Sequence, residues 1–390
     1  MRAPDSSSPI FLSYGFRPFF MLSAVWALAD MLLWMTLFEH GGDLPSRFDP
    51  LTWHIHEMLF GFIMAAIAGF LLTAVANWTG RPPIKGKLLG LLVLLWIAGR
   101  LACLFSLRLA PWLSIVLDLA FPLLLACLVA REVIAARNWR NLMMAAPVLV
   151  LGGANLLMHL EAQGMAIPAG LGWRLAIAAI LTLLSAVAGR IIPAFTRNWL
   201  AKQGKPGPAP HGVVDRLALS ALHIGVLLWA LLPDSRVSGA VLLLAAALNA
   251  WRLIRWHGGR TMEEPLLLIL HIAYGWLTIG LGLLGAAAMG WDIPLSAALH
   301  SLTVGAMSTM ILAVMTRATR GHTGRALSAD KLTRVIFILI LSAAVTRVLA
   351  AFDIWTNTFL SISAGLWAAA FLSFLGGYGP MFLRPRAAPS

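Results

Sequence analysis

Apolar stretches of about 20 residues recur from one end of this 390-residue chain to the other, and only short connections separate them. A helix of that length is long enough to cross the hydrocarbon core of a bilayer. The predicted spans are residues 18–38, 52–76, 86–106, 110–131, 141–162, 170–193, 213–233, 236–256, 264–288, 293–316, 330–351 and 355–377. Only 12% of the residues are charged, whereas soluble domains carry about 25%. The sequence therefore predicts an all-α integral membrane protein with twelve transmembrane helices, forming one polytopic membrane domain over residues 1–390.

The net charge of +13 is distributed unevenly between the two predicted faces of the membrane. With the N-terminus inside, 23 of the 29 Lys and Arg residues fall on the inner side. The remaining six fall on the outer side, and they are Arg47, Arg100, Arg108, Arg174, Arg236 and Arg347. This positive-inside bias explains the basic composition without nucleic acid, and it predicts that both termini are cytoplasmic. The N-terminal segment lacks the cleavage pattern of a signal peptide, so we expect the first helix to remain in the mature protein.

Similar motifs end three of the predicted helices at intervals equal to four helices. Asn-Trp occurs at 77–78 and 198–199, and Thr-Arg occurs at 196–197 and 316–317. The interval predicts three four-helix units arranged as a pseudo-threefold bundle. Polar and aromatic residues are also common at helix ends near a membrane interface, which is the alternative explanation.

Histidines within the predicted helices are the main candidates for a functional site. They are His54, His56, His159, His223, His271 and His300. A polar ring in hydrocarbon needs a partner, and an ionisable residue inside a membrane indicates function by default. Imidazole is also the commonest metal ligand in proteins. The pattern therefore predicts a metalloprotein.

Three of these histidines lie at similar depth, in the outer part of the second and tenth predicted helices. His54 and His56 are about 200° apart around one helix, so they cannot both bind the same ion from it. We predict haem b between these two helices, with His56 and His300 as first-choice axial ligands and His54 as the substitute. Glu57 shares a face with His54 and is a supporting residue. The alternatives are a polar cluster that binds lipid headgroups, or histidines that bond to the backbone of a neighbouring helix.

A second metal, for which copper is the candidate, would draw on His223, His271 or His159. Tyr274 lies one turn from His271, and Asn155 lies four residues before His159. The two residues of each pair can support a bound metal, or they can simply be hydrogen-bonded to each other.

Other polar residues within the spans have two open interpretations. Asp30 and Asp118 can carry protons or pair with each other. Arg190 can take part in that role, or Arg190 and Arg197 can hold a helix end at the lipid phosphates. The two cysteines, Cys103 and Cys127, are interpreted as small buried apolar residues. No CxxCH motif is present, so covalent c-type haem attachment is not predicted.

Several long motifs resemble those of the NnrS family. They are FLSYGFRPFF, WHIHEMLFGF, GFLLTAVANWTG, GRIIPAFTRNWL and LAVMTRATRGHTGR. The resemblance runs from about Phe11 to the twelfth predicted helix, and it departs from the family's TAVPNW string at Ala76. It implies a multi-pass protein of the bacterial inner membrane that contains haem and copper. It also implies an association with nitric oxide, in denitrification or in resistance to nitrosative stress.

The predicted threefold arrangement is also similar to subunit I of the haem–copper oxidases. In those proteins, histidines of the second and tenth helices hold a low-spin haem. Their copper site draws on the sixth and seventh helices, but here only the seventh carries a histidine, His223. The oxidases' paired histidines on the tenth helix are reduced here to His300. The likeness therefore extends to a low-spin haem and not to a binuclear oxygen-reducing centre.

Three functions remain open from the sequence. The first is redox chemistry or ligand exchange with nitric oxide, by an oxidoreductase that takes electrons from a quinol or a small donor. The second is a twelve-span secondary transporter, because buried ionisable groups and a long loop after the sixth helix also fit a carrier. The third is a haem-based sensor or assembly factor without turnover.

Overall fold

The structure, a computed structural model, describes residues 9–142 and 144–387. The predicted inner charge at Arg2 lies outside these residues. Within the described ranges, twelve helices are long and apolar enough to cross a membrane, and no strand occurs. The prediction of an all-α, twelve-span membrane protein is therefore confirmed.

The transmembrane helices follow one another through short connections. They are α1 (Phe16–His40), α2 (Pro50–Thr79), α3 (Lys87–Leu104), α4 (Pro111–Ala135), α5 (Ala146–Ala162), α6 (Leu171–Ala201), α7 (Val213–Leu231), α8 (Arg236–Ile254), α9 (Pro265–Ala288), α10 (Leu295–His322), α11 (Lys331–Ala351) and α12 (Thr356–Leu383). A short helix, Trp139–Leu142, precedes α5. Three helices run six or more residues past their predicted ends: α6 past residue 193, α10 past residue 316 and α12 past residue 377. Of these, α6 and α12 contain an internal proline, which membrane helices tolerate because neighbouring groups satisfy the freed backbone carbonyl.

The start of α2 follows from its first two residues. The Oδ1 atom of Asp49 accepts hydrogen bonds from the backbone N–H groups of Leu51 and Thr52, each at 3.1 Å. Pro50 occupies the first helical position, where its missing N–H costs nothing. This cap fixes the position from which the histidines of α2 are presented.

Among the described residues, two helices contain a π-helical segment, and both segments begin directly after a histidine. In α2 the segment Glu57–Ile63 follows His56, and in α10 the segment Ser301–Ser308 follows His300. A π-helical turn widens the helix by one residue, and it occurs mostly at functional sites. The same local pattern therefore occurs in both helices that were predicted to hold haem. The pseudo-threefold arrangement stays a prediction.

The chain forms two compact units, each with its own interior. The first comprises the described parts of 1–179, 318–325 and 374–390, and the second comprises 180–317 and 326–373. In the first unit α2 packs against α1 and α4, and α4 also packs against α3 and α5. In the second unit α8 packs between α7 and α9, and α10 packs against α9 and α11. The predicted single domain over 1–390 stays a prediction.

Candidate metal centre

Four helices of the first unit bring four potential metal ligands together. They are His56 from α2, Cys103 from α3, Asp118 from α4 and His159 from α5, and all four are buried. One ligand atom from each lies within 4.8 Å of every other. We call these four residues the metal cluster.

The carboxylate of Asp118 is the central contact of the metal cluster. Its Oδ2 atom lies 3.2 Å from Nε2 of His56 and 3.1 Å from Nε2 of His159. The Nδ2 group of Asn155 donates to the same oxygen at 2.9 Å. The Sγ atom of Cys103 lies 4.0 Å from Nε2 of His159. Two imidazole nitrogens, one sulfur and one carboxylate oxygen thus converge on one point.

His56 is oriented as a metal-binding histidine usually is. Its Nδ1 faces Oε1 of Glu57 at 3.1 Å, and its Nε2 faces Asp118 and the amide oxygen of Asn155, each at 3.2 Å. A carboxylate on one ring nitrogen fixes the ring and raises its basicity toward a metal on the other. All three partners accept hydrogen bonds. The ring therefore carries a proton on both nitrogens, or a metal ion takes the place of the Nε2 proton.

Arg100 supports the cluster from α3. Its guanidinium donates to Oε1 and Oε2 of Glu57 at 2.8 and 2.9 Å, and it also donates to Oδ1 of Asp118. Gly99 makes this approach possible, because a Cβ atom there would lie 2.7 Å from Oδ1 of Asp118. Two carboxylates face one arginine, so the buried group has a formal charge of −1 before any histidine or thiol ionises. This excess of negative charge favours a bound cation.

Aromatic rings exclude water from one side of the metal cluster. Phe48 stacks on His56 with 4.7 Å between ring centroids, and it lies 5.1 Å from His159. The Phe60 ring lies 4.9 Å from that of His56. Phe48 is 3% exposed and Phe60 is 2% exposed. A dry wall of this kind strengthens the interaction between a cation and its ligands.

His54 lies in the first unit with a different set of partners. Its Nδ1 donates to Oδ2 of Asp30 at 2.8 Å, and its ring stacks on Trp34 with 4.8 Å between centroids. The side chain is 14% exposed, while that of Asp30 is fully buried. Asp30 and Asp118 therefore pair with different residues and not with each other.

His300 lies in the second unit, directly before the π-helical segment of α10. Its Nδ1 donates to the backbone carbonyl of Ser296 at 2.7 Å, which is one helical turn away. A carbonyl oxygen only accepts, so Nδ1 carries the proton in this arrangement. Because His54 and His56 lie in the first unit and His300 lies in the second, the predicted pairing of His56 or His54 with His300 on one haem stays a prediction.

The remaining predicted ligands of the second unit have hydroxyl partners. His223 Nε2 lies 3.4 Å from Oγ of Ser185, and His271 Nε2 lies 3.0 Å from Oγ1 of Thr196. Within the part of the chain that the structure describes, neither belongs to a group of three or more potential metal ligands. A metal role for His223 and His271 stays a prediction.

Tyr274 belongs to a second buried ionic group, which we call the Arg252 cluster: Asp215, Asn249, Arg252 and Tyr274. The Arg252 Nε donates to Oδ1 of Asp215 at 3.0 Å, and its Nη1 donates to the Tyr274 hydroxyl at 2.8 Å. That hydroxyl donates to Oδ1 of Asn249 at 2.6 Å. The Arg252 guanidinium also lies 5.0 Å from the centre of the Trp256 ring. Tyr274 is thus a partner of Arg252, although the sequence suggested His271.

Arg190 and Arg197, the two supporting arginines of α6, are exposed side chains. The backbone and side chain of Arg197 pack against Gly207 in the following loop. The lipid-phosphate interpretation of both arginines stays a prediction.

Sequence reasoning missed Cys103 and Arg100 as site residues. Cys103 was interpreted as apolar packing, and Arg100 was counted only among the charges on the outer side of the membrane. They are three residues apart, so they share a helix face, and that spacing was the available signal. Cys127 is exposed, so its interpretation as a buried residue was wrong.

The comparison with known families agrees with the resemblance of the motifs. The model of one family, described as NnrS protein, matches residues 10–386, which is nearly the whole chain. No curated protein matches the sequence.

Proposed function

The chain belongs to the NnrS family, and we propose that it is a copper- and haem-binding protein of the bacterial inner membrane that reacts with nitric oxide. The metal cluster is the observation that supports this proposal most directly. The association with nitric oxide comes from the family. Redox turnover, with a quinol or a small donor supplying electrons, is the first form of the proposal, and ligand binding without turnover is the second.

Copper is the metal that best suits the donor set of His56, Cys103 and His159. Imidazole and thiolate together favour copper, and two histidines with one cysteine form the usual ligand set of copper electron-transfer sites. Asp118 supplies a fourth donor, a carboxylate oxygen, and Glu57 orients the His56 ring through Nδ1. Zinc also accepts such ligands, so the identity of the metal is part of the test.

The surroundings of two histidines fit haem ligation. His54 donates from Nδ1 to the carboxylate of Asp30, and His300 donates from Nδ1 to the carbonyl of Ser296. Both arrangements are typical of rings whose Nε2 binds a metal. His56 remains a candidate as well, but its Nε2 faces the metal cluster. In this proposal His54 and His300 are therefore each candidate axial ligands of haem b.

The bound metals would supply one-electron chemistry and a coordination position for nitric oxide. The protein's own residues hold the metal ligands in place: Arg100 fixes Glu57 and Asp118, and Asn155 spans His56 and Asp118. The aromatic wall of Phe48 and Phe60 excludes water from that side. A small uncharged ligand such as nitric oxide is compatible with such an apolar approach.

Metal analysis and visible spectroscopy of the purified protein test the proposal. We expect copper in the wild type and its loss in His159→Ala, whereas the exposed His40→Ala serves as the matched control. We expect a haem spectrum that nitric oxide shifts and that His54→Ala or His300→Ala alters. Absence of a Soret band after expression with sufficient haem contradicts the haem assignment. Copper retained by His159→Ala contradicts the copper assignment, and nitric oxide consumption with a quinol distinguishes an enzyme from a sensor.

A further inference from the structure

Buried polar atoms without partners collect around the first half of α2. Among the described residues, Nε1 of Trp26, Oδ1 of Asp30, Nε1 of Trp53 and Nε of Arg100 have no hydrogen-bond partner in the protein. Buried polar groups are nearly always paired, either with protein or with ordered water. An unpaired buried polar group is costly, so four in one region indicate bound water.

Hydrogen-bonded contacts lead from His54 toward the metal cluster with one interruption. His54 contacts Asp30 at 2.8 Å, and further in, Glu57 contacts His56 at 3.1 Å. His56 in turn contacts Asp118 at 3.2 Å. The interruption lies between Asp30 and Glu57, because Oδ1 of Asp30 has no hydrogen-bond partner in the protein.

The close packing of the Trp26 indole against Gly61 brings two residues at this step near each other. A Cβ atom on Gly61 would lie 2.3 Å from Nε1 of Trp26 and 3.1 Å from Oε2 of Glu57. These distances together place the two atoms no more than 5.4 Å apart. One water with hydrogen bonds of about 2.8 Å bridges atoms separated by roughly 4.5 to 5.5 Å. Trp26 and Asp30 are four residues apart on α1, so Asp30 lies on the same face of the helix.

We propose that ordered water molecules occupy the space bounded by Trp26, Asp30 and Glu57 and give solvent access to the metal cluster from His54. His54 lies about 6 Å along the axis from the start of α2, and it is partly exposed. The inference deepens the proposed function, because it assigns a route for water to the metal centre. The water sites themselves do not depend on a bound metal.

Radiolytic hydroxyl-radical footprinting of the metal-free, full-length protein tests for the water. Radicals form from bound water, so buried side chains beside it are oxidised. We expect Trp53 to be oxidised at least about fivefold faster than Trp229. The two residues are matched in burial, at 1% and 2% exposed, and only the indole nitrogen of Trp53 lacks a partner. Equal rates for Trp53 and Trp229 overturn the proposal.

Hydrogen–deuterium exchange at the Cys103 thiol tests the route, because its S–H infrared band lies clear of other protein bands. A Cys127→Ser background leaves Cys103 as the only thiol, since the chain has 2 cysteines. In that background we expect Asp30→Leu, which removes both oxygens, to slow exchange by at least about tenfold. Asp30→Asn keeps polar atoms for the water, and we expect exchange within about twofold of the Cys127→Ser parent.

Exchange at the parent rate in Asp30→Leu overturns the proposed route. If this variant does not fold, footprinting of the wild type still decides whether the water is present. Both measurements use metal-free protein. A failure to bind copper therefore contradicts the proposed function, whereas the water route is decided by footprinting and thiol exchange alone.

Discussion

The two buried ionic groups of this protein differ in how their charges are balanced. In the first unit, Glu57 and Asp118 face one arginine, and a thiol and two imidazoles adjoin them. In the second unit, one carboxylate, Asp215, faces two arginines, and the tyrosine and amide of the Arg252 cluster complete the hydrogen bonding. An excess of negative charge beside a soft thiol donor makes the first group suitable for a metal ion. In the second group the buried Arg252 balances Asp215, while Arg255 is partly exposed, so we expect this group to hold helices together and not to bind a metal.

The largest expected effect is on the free energy of unfolding, and it comes from a change in the Arg252 cluster. Arg252→Ala leaves Asp215 buried without its main partner, so we expect a loss of about 3–5 kcal/mol in the free energy of unfolding. Chemical unfolding in detergent measures it. Arg255→Ala is the matched control, because Arg255 also contacts Asp215 but its side chain is 25% exposed, and we expect less than about 1 kcal/mol. Copper bound per folded molecule should stay at the wild-type level in both variants.

A loss of copper from folded Arg252→Ala would show that the Arg252 cluster also supports metal binding, so the two groups would not differ in this respect. Equal destabilisation by the two arginine variants would show instead that the burial of an arginine does not determine how strongly its contact with Asp215 stabilises the protein.

The second effect is on metal affinity. Cys103→Ser removes the soft ligand of the metal cluster, and we expect at least about a 100-fold loss of copper affinity, because losing even an outer partner costs roughly 10–100-fold. Competition with a copper chelator measures this loss. Cys127→Ser is the matched control, since that thiol is exposed. Unchanged affinity in Cys103→Ser would exclude the thiol as a ligand.

Much of the fold was predictable, because length and hydropathy define a membrane helix within its own sequence. The twelve spans were predicted in this way and confirmed. The predicted ends of α6, α10 and α12 were too early, and in α6 and α12 the helix continues through an internal proline, which a membrane helix tolerates.

The site was only partly predictable, because its residues come from four helices. The sequence singled out His56, Glu57, Asn155 and His159, because the spacing that marks each pair lies within a single helix. It could not show that α3 and α4 bring Cys103 and Asp118 to the same point, since that depends on packing. The approach at Gly99 is an example: only the folded structure shows that a side chain there would meet Asp118.

The third effect concerns a residue that touches two members of the metal cluster. Asn155 donates to Asp118 and accepts from His56, so Asn155→Ala frees both ligands to move. We expect about a tenfold loss of copper affinity, the usual cost of removing an orienting partner. Asn249→Ala, the corresponding amide of the Arg252 cluster, is the control and should leave copper affinity unchanged. If both amides lower copper affinity equally, the effect is general loosening of the protein and not orientation of ligands.

The smallest effect tests whether the Arg252 cluster is only a brace. Tyr274→Phe removes the hydroxyl that accepts from Arg252 and donates to Asn249, yet it keeps the ring that packs 4.6 Å from Trp256. Arg252 retains Asp215 and the carbonyl of Ser185, so we expect a loss of about 1 kcal/mol in the free energy of unfolding. If the Arg252 cluster only stabilises the fold, we expect the haem spectrum, its response to nitric oxide and any nitric oxide consumption to stay as in the wild type. If Tyr274→Phe abolishes consumption while stability falls by no more than this, the second ionic group takes part in the chemistry. The difference between the two groups would then be one of role within a single reaction.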